Sequence, residues 1–337
     1  MGIFKKTDGL DEAAESGRLR PEDLVAPRPD RQDEAASGKD EVESGPGEEP
    51  KVEEVTVEEP QGEAGAQEST GISRAKQPDT PKNEGPAKVI AFANQKGGVA
   101  KTTTALNLAV AFKESGHRVL AVDMDPQGNL TMSQGIDPDK VERSMFDVLV
   151  HRIPIREVIV EREIDVAVAS IDLAGAEIAM STQIGRERSL QKGLDAVKDD
   201  YDFVCIDTPP SLGLLTVNAL TAANKVIVPV QCEYLSMRGL VQLQNTLQMI
   251  RENLNPDVEI EGILPTLMDT RTIHAKEAIE ILEENFGDRV FASRIRKTVR
   301  FAEAPVKGMS VLKYDPDGTA AQSYRDLAKE VLAHGIR

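Results

Sequence analysis

Apolar residues follow two alternating patterns along the chain from residue 88 onward. Short runs such as 89–94 and 203–207 are almost continuously apolar, which is typical of buried strands in a parallel sheet. Between these runs, apolar residues recur every three or four positions, as they do on one face of a helix. The predicted strands are 89–94, 117–125, 165–170, 201–207, 224–231 and 259–269, with 289–295 as a final strand.

The segments with helical spacing alternate with these strands. The predicted helices are 103–116, 142–151, 188–200, 215–223, 234–253, 273–287 and 320–335. Regular alternation of strand and helix predicts an α/β fold, in which helices cover both faces of a mostly parallel, twisted sheet. Ligands of such sheets bind where the strands end, so the loops that follow the strands are the candidate functional segments.

The first quarter of the chain lacks both patterns. Residues 1–86 hold 11 Lys and Arg against 22 Asp and Glu, and Phe4 is their single aromatic residue. A segment with so little apolar surface cannot offset the entropy cost of becoming ordered. We therefore predict a disordered acidic tail over 1–86 and one folded domain over 87–337. The tail carries most of the formal net charge of −17, so the folded part is only mildly acidic.

The remaining composition bears on the cellular compartment. No apolar stretch approaches the ~20 residues of a membrane-spanning helix, and the N-terminus lacks the apolar core of a signal peptide. Cys205 and Cys232 lie in separate apolar runs, which favours buried thiols over a disulfide or a metal site. The sequence predicts a cytoplasmic protein without stable membrane association.

The sharpest motif is KGGVAKTTT at 96–104, which follows the first predicted strand and opens the first predicted helix. Backbone amides of such a loop converge on phosphate oxygens, and the helix N-terminus favours anions. Lys101 supplies a positive charge for the β- and γ-phosphates, and the Thr102 hydroxyl can coordinate Mg²⁺. The residues expected to surround a nucleoside triphosphate are Lys96, Gly97, Gly98, Val99, Ala100, Lys101, Thr102 and Thr103.

Two acidic motifs follow other predicted strands. DMDPQGN at 123–129 ends the second strand, and the apolar strand 203–207 ends in Asp207. Carboxylates at these strand ends lie beside a phosphate loop, where they can orient water or hold Mg²⁺ through water. The predicted metal-binding residues are therefore Thr102, Asp125 and Asp207.

These motifs together resemble those of the ParA/MinD ATPases, which have the P-loop NTPase fold. KGGVAKTTT is similar to the deviant Walker A motif of that family, usually KGGVGKTT, and DMDPQGN matches its switch I motif. FVCIDTPPSLG at 203–213 resembles its Walker B strand and switch II. The resemblance runs from about Lys88 to the C-terminus and implies ATP and Mg²⁺ as ligands.

The resemblance also implies roles for particular residues. Lys96 would reach across a homodimer to the partner's phosphates and act in catalysis with Lys101 and Asp125. Asp125 would position the attacking water, and Asp123 would belong to the same network. Pro229 would line the adenine pocket. Ala100 replaces a glycine of the family motif, and because a Cβ disfavours positive φ, we expect a slightly altered loop that still binds nucleotide.

A basic segment near the C-terminus is the predicted DNA-binding surface. Residues 288–313 contain seven Lys and Arg, opposed only by Asp288 and Glu303, which gives a local charge of +5. Such a patch can neutralise DNA phosphates without reading base sequence. The resemblance to ParA proteins implies that Arg271 and Arg300 make nonspecific DNA contacts.

The favoured interpretation is a ParA-type partition ATPase for chromosome or plasmid segregation. ATP would drive dimerisation and DNA binding on the nucleoid, and a ParB-like partner would stimulate hydrolysis. Three alternatives remain. A MinD-like membrane switch should end in a basic amphipathic helix, whereas residues 326–337 are short and mixed in charge. A ParA-like ATPase that positions a non-DNA cargo is compatible with the same motifs. The third alternative is a metabolic P-loop enzyme. The sequence has neither the cluster-binding cysteines of a reductase nor a substrate-specific motif that would support it.

Overall fold

The computed structural model describes residues 85–232, 237–269 and 273–334. Within these residues, seven strands form one sheet in the order β3-β4-β2-β5-β1-β6-β7. All neighbouring strands are parallel except β3 and β4, which are antiparallel. The strands are β1 Lys88–Phe92, β2 Val119–Asp123, β3 Ile159–Glu161, β4 Asp165–Ala167, β5 Phe203–Asp207, β6 Lys225–Gln231 and β7 Glu259–Thr266.

Helices connect the strands and cover the sheet. The α-helices are α1 Lys101–Glu114, α2 Asn129–Met132, α3 Met145–Val150, α4 Ala176–Ala179, α5 Ser189–Asp195, α6 Leu214–Ala222, α7 Met237–Asn253, α8 Ile273–Phe286, α9 Arg300–Val306, α10 Val311–Tyr314 and α11 Thr319–Ala333. Short 3₁₀ turns lie at Pro138–Lys140, Ile155–Val158, Ile171–Gly175, Arg186–Arg188 and Gly287–Arg289. The predicted α/β fold with a mostly parallel sheet is confirmed.

The two faces of the sheet bury separate apolar clusters, as alternation along β1 illustrates. Val89 and Ala91 point into a cluster that includes residues of α3, α5, α6 and α7. Ile90 and Phe92 point to the other face, where α1, α10 and α11 pack. Since successive side chains of a strand face opposite ways, a continuously apolar strand requires helices on both sides.

Several details differ from the sequence prediction, and the short helices α2, α4, α9 and α10 are among the elements that it did not contain. The edge strand β3 was not predicted, because three residues are too few to show a periodicity. The predicted strand 289–295 is wrong: Val290 and Arg296 make only isolated bridges to Ile263 and Met268. Its alternating apolar residues, Phe291 and Ile295, instead anchor an extended segment beside β7.

Some sequence predictions fall where the structure makes no statement. The acidic segment 1–86 lies almost wholly outside the described residues, and so does Arg271. Among the helices that are described, none has the length and apolar character needed to cross a membrane.

Candidate nucleotide-binding site

The predicted phosphate loop lies between β1 and α1, at the carboxyl end of a strand next to the middle of the sheet. Gly98 and Ala100 have φ of 72° and 66°, so the backbone turns twice through the left-handed region before α1 begins at Lys101. The Thr266 hydroxyl donates to the Val99 carbonyl at 3.0 Å, which ties the loop to the end of β7. No side chain caps the first turn of α1, so its N-terminal amides stay available to an anion.

Ala100 adopts the conformation that its family counterpart, a glycine, would adopt without strain. Its φ of 66° and ψ of 36° lie in the left-handed helical region. A residue with a Cβ pays about 1–2 kcal/mol there. The loop therefore keeps a glycine-like path in spite of the substitution, and the cost appears as backbone strain.

Lys101 is buried at the start of α1, only 6% exposed. Its Nζ donates to the Lys96 carbonyl at 3.3 Å, so the side chain curls back over the loop. Burial lowers the pKa of Lys101, and the carboxylates of Asp207 and Asp125 oppose that shift. The ammonium group is therefore held between the loop and two acidic side chains, where a phosphate charge would also be stabilised.

Lys96, the first lysine of the motif, lies at the other side of the loop. Its Nζ donates to Gln231 Oε1 at 3.0 Å, at the end of β6. Asn94 supports the same region: its Nδ2 donates to the Pro229 carbonyl at 2.7 Å, and its Oδ1 accepts from the Lys96 amide at 3.0 Å. The predicted reach of Lys96 into a second copy concerns an assembly that a single chain does not contain.

Asp123 and Asp207 lie side by side at the ends of β2 and β5, and the two residues are register partners. Asp123 is fully buried and well satisfied: Oδ2 accepts from the Thr131 amide at 2.9 Å and from its hydroxyl at 2.7 Å. Burial nevertheless raises the pKa of Asp123 to about 6, with the hydrogen bonds from Thr131 and Asp125 acting in the opposite direction.

Asp125 is positioned by Asp123 and faces the cavity beside the loop. Its backbone amide donates to Asp123 Oδ1 at 3.1 Å, and its own Oδ1 accepts from the Gln127 amide at 3.0 Å. Asp123 thus fixes the backbone at Asp125, so the two residues are in direct contact. The side chain of Asp125 stays 7% exposed, enough to meet a small molecule in the cavity.

Asp207 has a different environment from its neighbour. Both carboxylate oxygens are buried without a hydrogen-bond partner in the described part of the chain. Burial raises the pKa of Asp207 well above its ordinary value, and nearby Asp123 raises it further. The Thr102 hydroxyl and Lys101 act in the opposite direction. Thr102 is thus close enough to favour the charged form, although neither oxygen of Asp207 is in full hydrogen-bonding geometry.

An unpartnered buried carboxylate next to a threonine hydroxyl suits Mg²⁺. This ion prefers oxygen ligands and is usually held by one or two carboxylates, phosphates and several waters. No group of three or more His, Cys, Asp or Glu that could hold a metal occurs among the described residues. Thr102, Asp125 and Asp207 are the side chains here that fit the ion, and phosphate and water would supply the other ligands.

A cavity of about 560 Å³ opens above the loop. Its polar end is lined by Gly97, Gly98, Ala100, Lys101, Thr102, Thr103, Asp125, Gln127 and Asn129. Its apolar wall is formed by Leu267, Phe301, Ala304, Pro305, Met309 and Val311. This volume is within the range of small-molecule sites.

Several lining residues were not singled out by the sequence. Gln127 and Asn129 lie within the DPQGN motif, so the motif itself contained the signal. Apart from Leu267, the apolar wall comes from 301–311, some 200 residues from the loop in sequence, and no local pattern assigns it. Pro229 is buried within β6 and does not line the cavity; its carbonyl instead holds Asn94.

The basic segment 288–313 is partly neutralised by carboxylates that lie close to its arginines in the folded protein. Arg300 begins α9, where its Nη1 donates to Glu303 Oε2 at 2.7 Å and its Nε lies 3.3 Å from Asp315 Oδ2. Arg294 pairs with Glu283, which comes from α8, at 2.8 Å. Because carboxylates from other segments pair with these arginines, the local charge of +5 overstates the charge open to a partner.

Comparison with known proteins gives consistent results. A family model described as an AAA domain matches residues 87–260. The sporulation initiation inhibitor protein Soj of Bacillus subtilis is 47% identical over 251 residues, which cover 74% of this chain and 99% of Soj. The chromosome partitioning protein ParA of Caulobacter vibrioides is 42% identical over 253 residues, covering 74% of this chain and 95% of that protein.

A solved structure is also similar. The crystal structure named cobyrinic acid a,c-diamide synthase from Mycobacterium smegmatis contains an ATP analogue and magnesium. It matches with a TM-score of 0.66 and 41% identity, covering 74% of this chain and 95% of that chain.

Proposed function

The chain belongs to the Soj/ParA family of P-loop ATPases, and we propose that it is a partition ATPase for chromosome or plasmid segregation. ATP binding drives two copies to dimerise, and the dimer binds DNA without sequence preference. A ParB-like partner then stimulates hydrolysis and release. The observation that carries the nucleotide chemistry is the unpartnered, buried carboxylate of Asp207 beside Thr102 and the left-handed loop.

The loop residues bind the triphosphate by the chemistry that their positions allow. The amides of Gly97 to Thr103 and the open N-terminus of α1 face the phosphate oxygens, and Lys101 neutralises their charge. Thr102 and Asp207 would hold Mg²⁺, with Asp125 contributing through water. When bound, the ion neutralises charge on the β- and γ-phosphate oxygens.

Hydrolysis requires a water molecule aligned with the terminal phosphate. Asp125 lines the cavity and is held by the Asp123 carboxylate below it, so it can orient that water. Lys96 completes the site in the dimer, where it contacts the phosphates of the other copy. Positioning and charge neutralisation account for most of the catalysis in phosphoryl transfer, and these side chains supply both.

The adenine base occupies the apolar wall rather than the neighbourhood of Pro229. Phe301, Pro305 and Met309 line the cavity and offer flat or flexible apolar surface to a ring. Ligand pockets of this kind combine an apolar wall with a few polar groups that fix orientation. We therefore move the proposed adenine contacts from β6 to α9.

Exposed apolar residues support dimerisation. Ile171, Ile178 and Ile184 are 66%, 80% and 95% exposed, although all three are large. Their segment adjoins the switch II loop, because the Glu177 carboxylate closely approaches the backbone of Gly213 and Leu215. Exposed isoleucines in a segment that contacts switch II favour a surface that a second protein covers.

DNA binding rests on the basic segment 288–313 and on Arg271, with Arg300 as the principal contact. Arg296 and Lys307 add exposed positive charge in the same segment. The acidic residues 1–86 form a separate tail, and the ATPase domain spans 87–337. In this proposal the protein works in the cytoplasm on the nucleoid, without stable membrane association.

The test measures DNA binding by the full-length protein with ATP, with ADP and without nucleotide, all with Mg²⁺ present. Wild type should bind DNA tightly only with ATP, and Lys101→Ala should bind weakly in every state. Arg300→Ala should lose DNA binding but keep ATP binding. Equal DNA binding in all three states would refute the proposal that nucleotide controls DNA binding. Co-sedimentation with liposomes in the presence of ATP would instead favour a MinD-like function.

A biosynthetic role is the second candidate, because a structure that is 41% identical has the name of a diamide synthase. That role predicts that cobyrinic acid and an amide donor accelerate ATP hydrolysis, whereas DNA leaves the rate unchanged. A partition ATPase gives the opposite pattern.

A further inference from the structure

Helix α9 has two roles that the sequence does not link. Its first residue is Arg300, the proposed DNA contact, and the next residues, Phe301, Ala304 and Pro305, line the nucleotide cavity. The helix has only seven residues. A shift of its inner side therefore also moves the base of the Arg300 side chain.

Arg300 is engaged on the protein surface by two carboxylates and a ring. Its Nη1 donates to Glu303 Oε2 at 2.7 Å, and its Nε lies 3.3 Å from Asp315 Oδ2. The guanidinium carbon also lies 5.8 Å from the centre of the Tyr314 ring, whose hydroxyl donates to the same Glu303 oxygen at 3.3 Å. In this arrangement the charge of Arg300 is already neutralised, and DNA phosphates must compete with both carboxylates.

The segment that holds these carboxylates is connected to the phosphate loop. Asn107 of α1 bridges the two parts, because its Nδ2 donates to the Thr103 carbonyl at 2.6 Å and its Oδ1 accepts from the Val311 amide at 2.8 Å. Val311 begins α10, which ends at Tyr314, next to Asp315. A movement at the start of α1 is thus transmitted through Asn107 and α10 to Asp315, one of the two carboxylates that pair with Arg300.

A second connection comes from the switch I side. The turn at Gly135, which follows α2, packs against the turn at Gly308, which follows α9. A Cβ added to Gly308 would lie 2.9 Å from the Gly135 Cα, so the two backbones are in direct contact. The segment after Asp125 and the segment after Arg300 therefore cannot move independently at this point.

We propose that Glu303 and Asp315 form a latch that withholds Arg300 from nucleic acid, and that a nucleotide in the adjoining cavity opens it. The proposal rests on the proposed role of Arg300 in DNA binding and adds the device that makes that role depend on nucleotide. The three side chains are 45%, 42% and 36% exposed, so the latch is weak and reversible. Two pairs of this kind shift an equilibrium by about threefold to tenfold.

The experiment compares full-length variants with equal charge changes. The latch variant is Glu303→Gln with Asp315→Asn. The control variant is Asp317→Asn with Asp288→Asn, which removes two exposed carboxylates of the same region that form no ion pair with Arg300 in the described part of the chain. Affinity for a mixed-sequence DNA duplex is measured at fixed salt, without nucleotide and with a non-hydrolysable ATP analogue, because salt alone shifts such affinities.

The latch predicts that the gain in DNA affinity depends on whether a nucleotide is bound. Without nucleotide, the latch variant should bind DNA about threefold to tenfold more tightly than wild type, and with the analogue the gain should fall below about twofold. The control variant should gain the same DNA affinity without nucleotide as with the analogue. Adding Arg300→Ala to the latch variant should abolish its extra gain.

Two results would overturn the latch, and they are distinguishable. The first is that the latch and control variants gain DNA affinity equally with and without the ATP analogue. In that case the gain comes only from weaker repulsion between carboxylates and DNA, so the latch fails while nucleotide-dependent DNA binding stands. If wild type binds no DNA in any state, the proposed DNA-binding function fails and the latch fails with it. ATP binding by both variants, measured by calorimetry, verifies that they are folded.

Discussion

Asp207→Asn should make the nucleotide-free protein more stable, although it removes a residue of the proposed site. The wild-type carboxylate is fully buried, and neither oxygen finds a hydrogen-bond donor among the described residues. A buried group without partners costs about 1–3 kcal/mol, and more when it is charged. The asparagine has nearly the same shape and no charge, so most of that cost disappears.

The expected size follows from the length of the folded part. A change of 1 kcal/mol shifts the Tm by about 2–4 °C in a domain of this order of size, so Asp207→Asn should raise it by roughly 2–12 °C. The effect should depend on pH. Burial raises the pKa of Asp207, so the folded wild type loses stability as the pH rises from the ordinary carboxyl pKa through the raised one. The advantage of the variant should therefore be largest at neutral pH and shrink in acid.

Thermal unfolding with and without Mg²⁺ and ATP is the assay. Ligands that bind only the folded state raise the Tm, so Mg²⁺ with ATP should stabilise wild type more than the variant, which should also lose ATP hydrolysis. A Tm at or below that of wild type in the absence of nucleotide would refute the reasoning, because it would mean that the carboxylate is satisfied in the folded protein.

Asp202→Asn is the matched control. This acid precedes the same strand, and Asp202 Oδ1 accepts from Arg118 Nη2 at 2.7 Å. Burial alone would raise the pKa of Asp202, but hydrogen bonds from Arg118 outweigh it and the pKa is lowered. Removing this partner leaves a buried guanidinium uncompensated and should cost about 3–5 kcal/mol. The two Asp→Asn changes should thus shift the Tm in opposite directions.

Three further predictions concern the loop, the glycine contact and the exposed isoleucines. Ala100→Gly should raise the Tm by roughly 1–4 °C, since relief of left-handed strain exceeds the entropy cost of glycine; an unchanged or lower value in calorimetry would contradict the strain. Gly308→Ala should cost about 2–5 kcal/mol in denaturant unfolding, because its Cβ would meet Gly135 at 2.9 Å and its φ of 66° adds left-handed strain. Gly287→Ala, with a similar φ of 54° and open space around it, should cost only about 1 kcal/mol. Ile178→Asp should weaken ATP-dependent dimerisation in light scattering while ATP binding persists, and undiminished dimers would exclude this surface.

Much of the site was predictable because its polar residues follow strands. The loop at 96–104, the DPQGN motif and Asp207 each come directly after a buried apolar run, and the ends of β1, β2 and β5 meet at one edge of the sheet. Once the alternation of strand and helix predicts a parallel sheet, these segments must converge. The apolar wall at 301–311 could not be placed in this way, because it follows no strand of the sheet.

Asp123 and Asp207 have different environments that could not be predicted from the sequence. Both are aspartates that end an apolar strand, and they are register partners in the same sheet. Yet one accepts three hydrogen bonds, from Thr131 and Asp125, and the other accepts none within the described residues. The difference depends on where the chain turns after each strand: α2 returns Thr131 to Asp123, whereas the chain after Asp207 leaves its oxygens facing the phosphate loop. One carboxylate therefore organises the protein, and the other is left for a ligand.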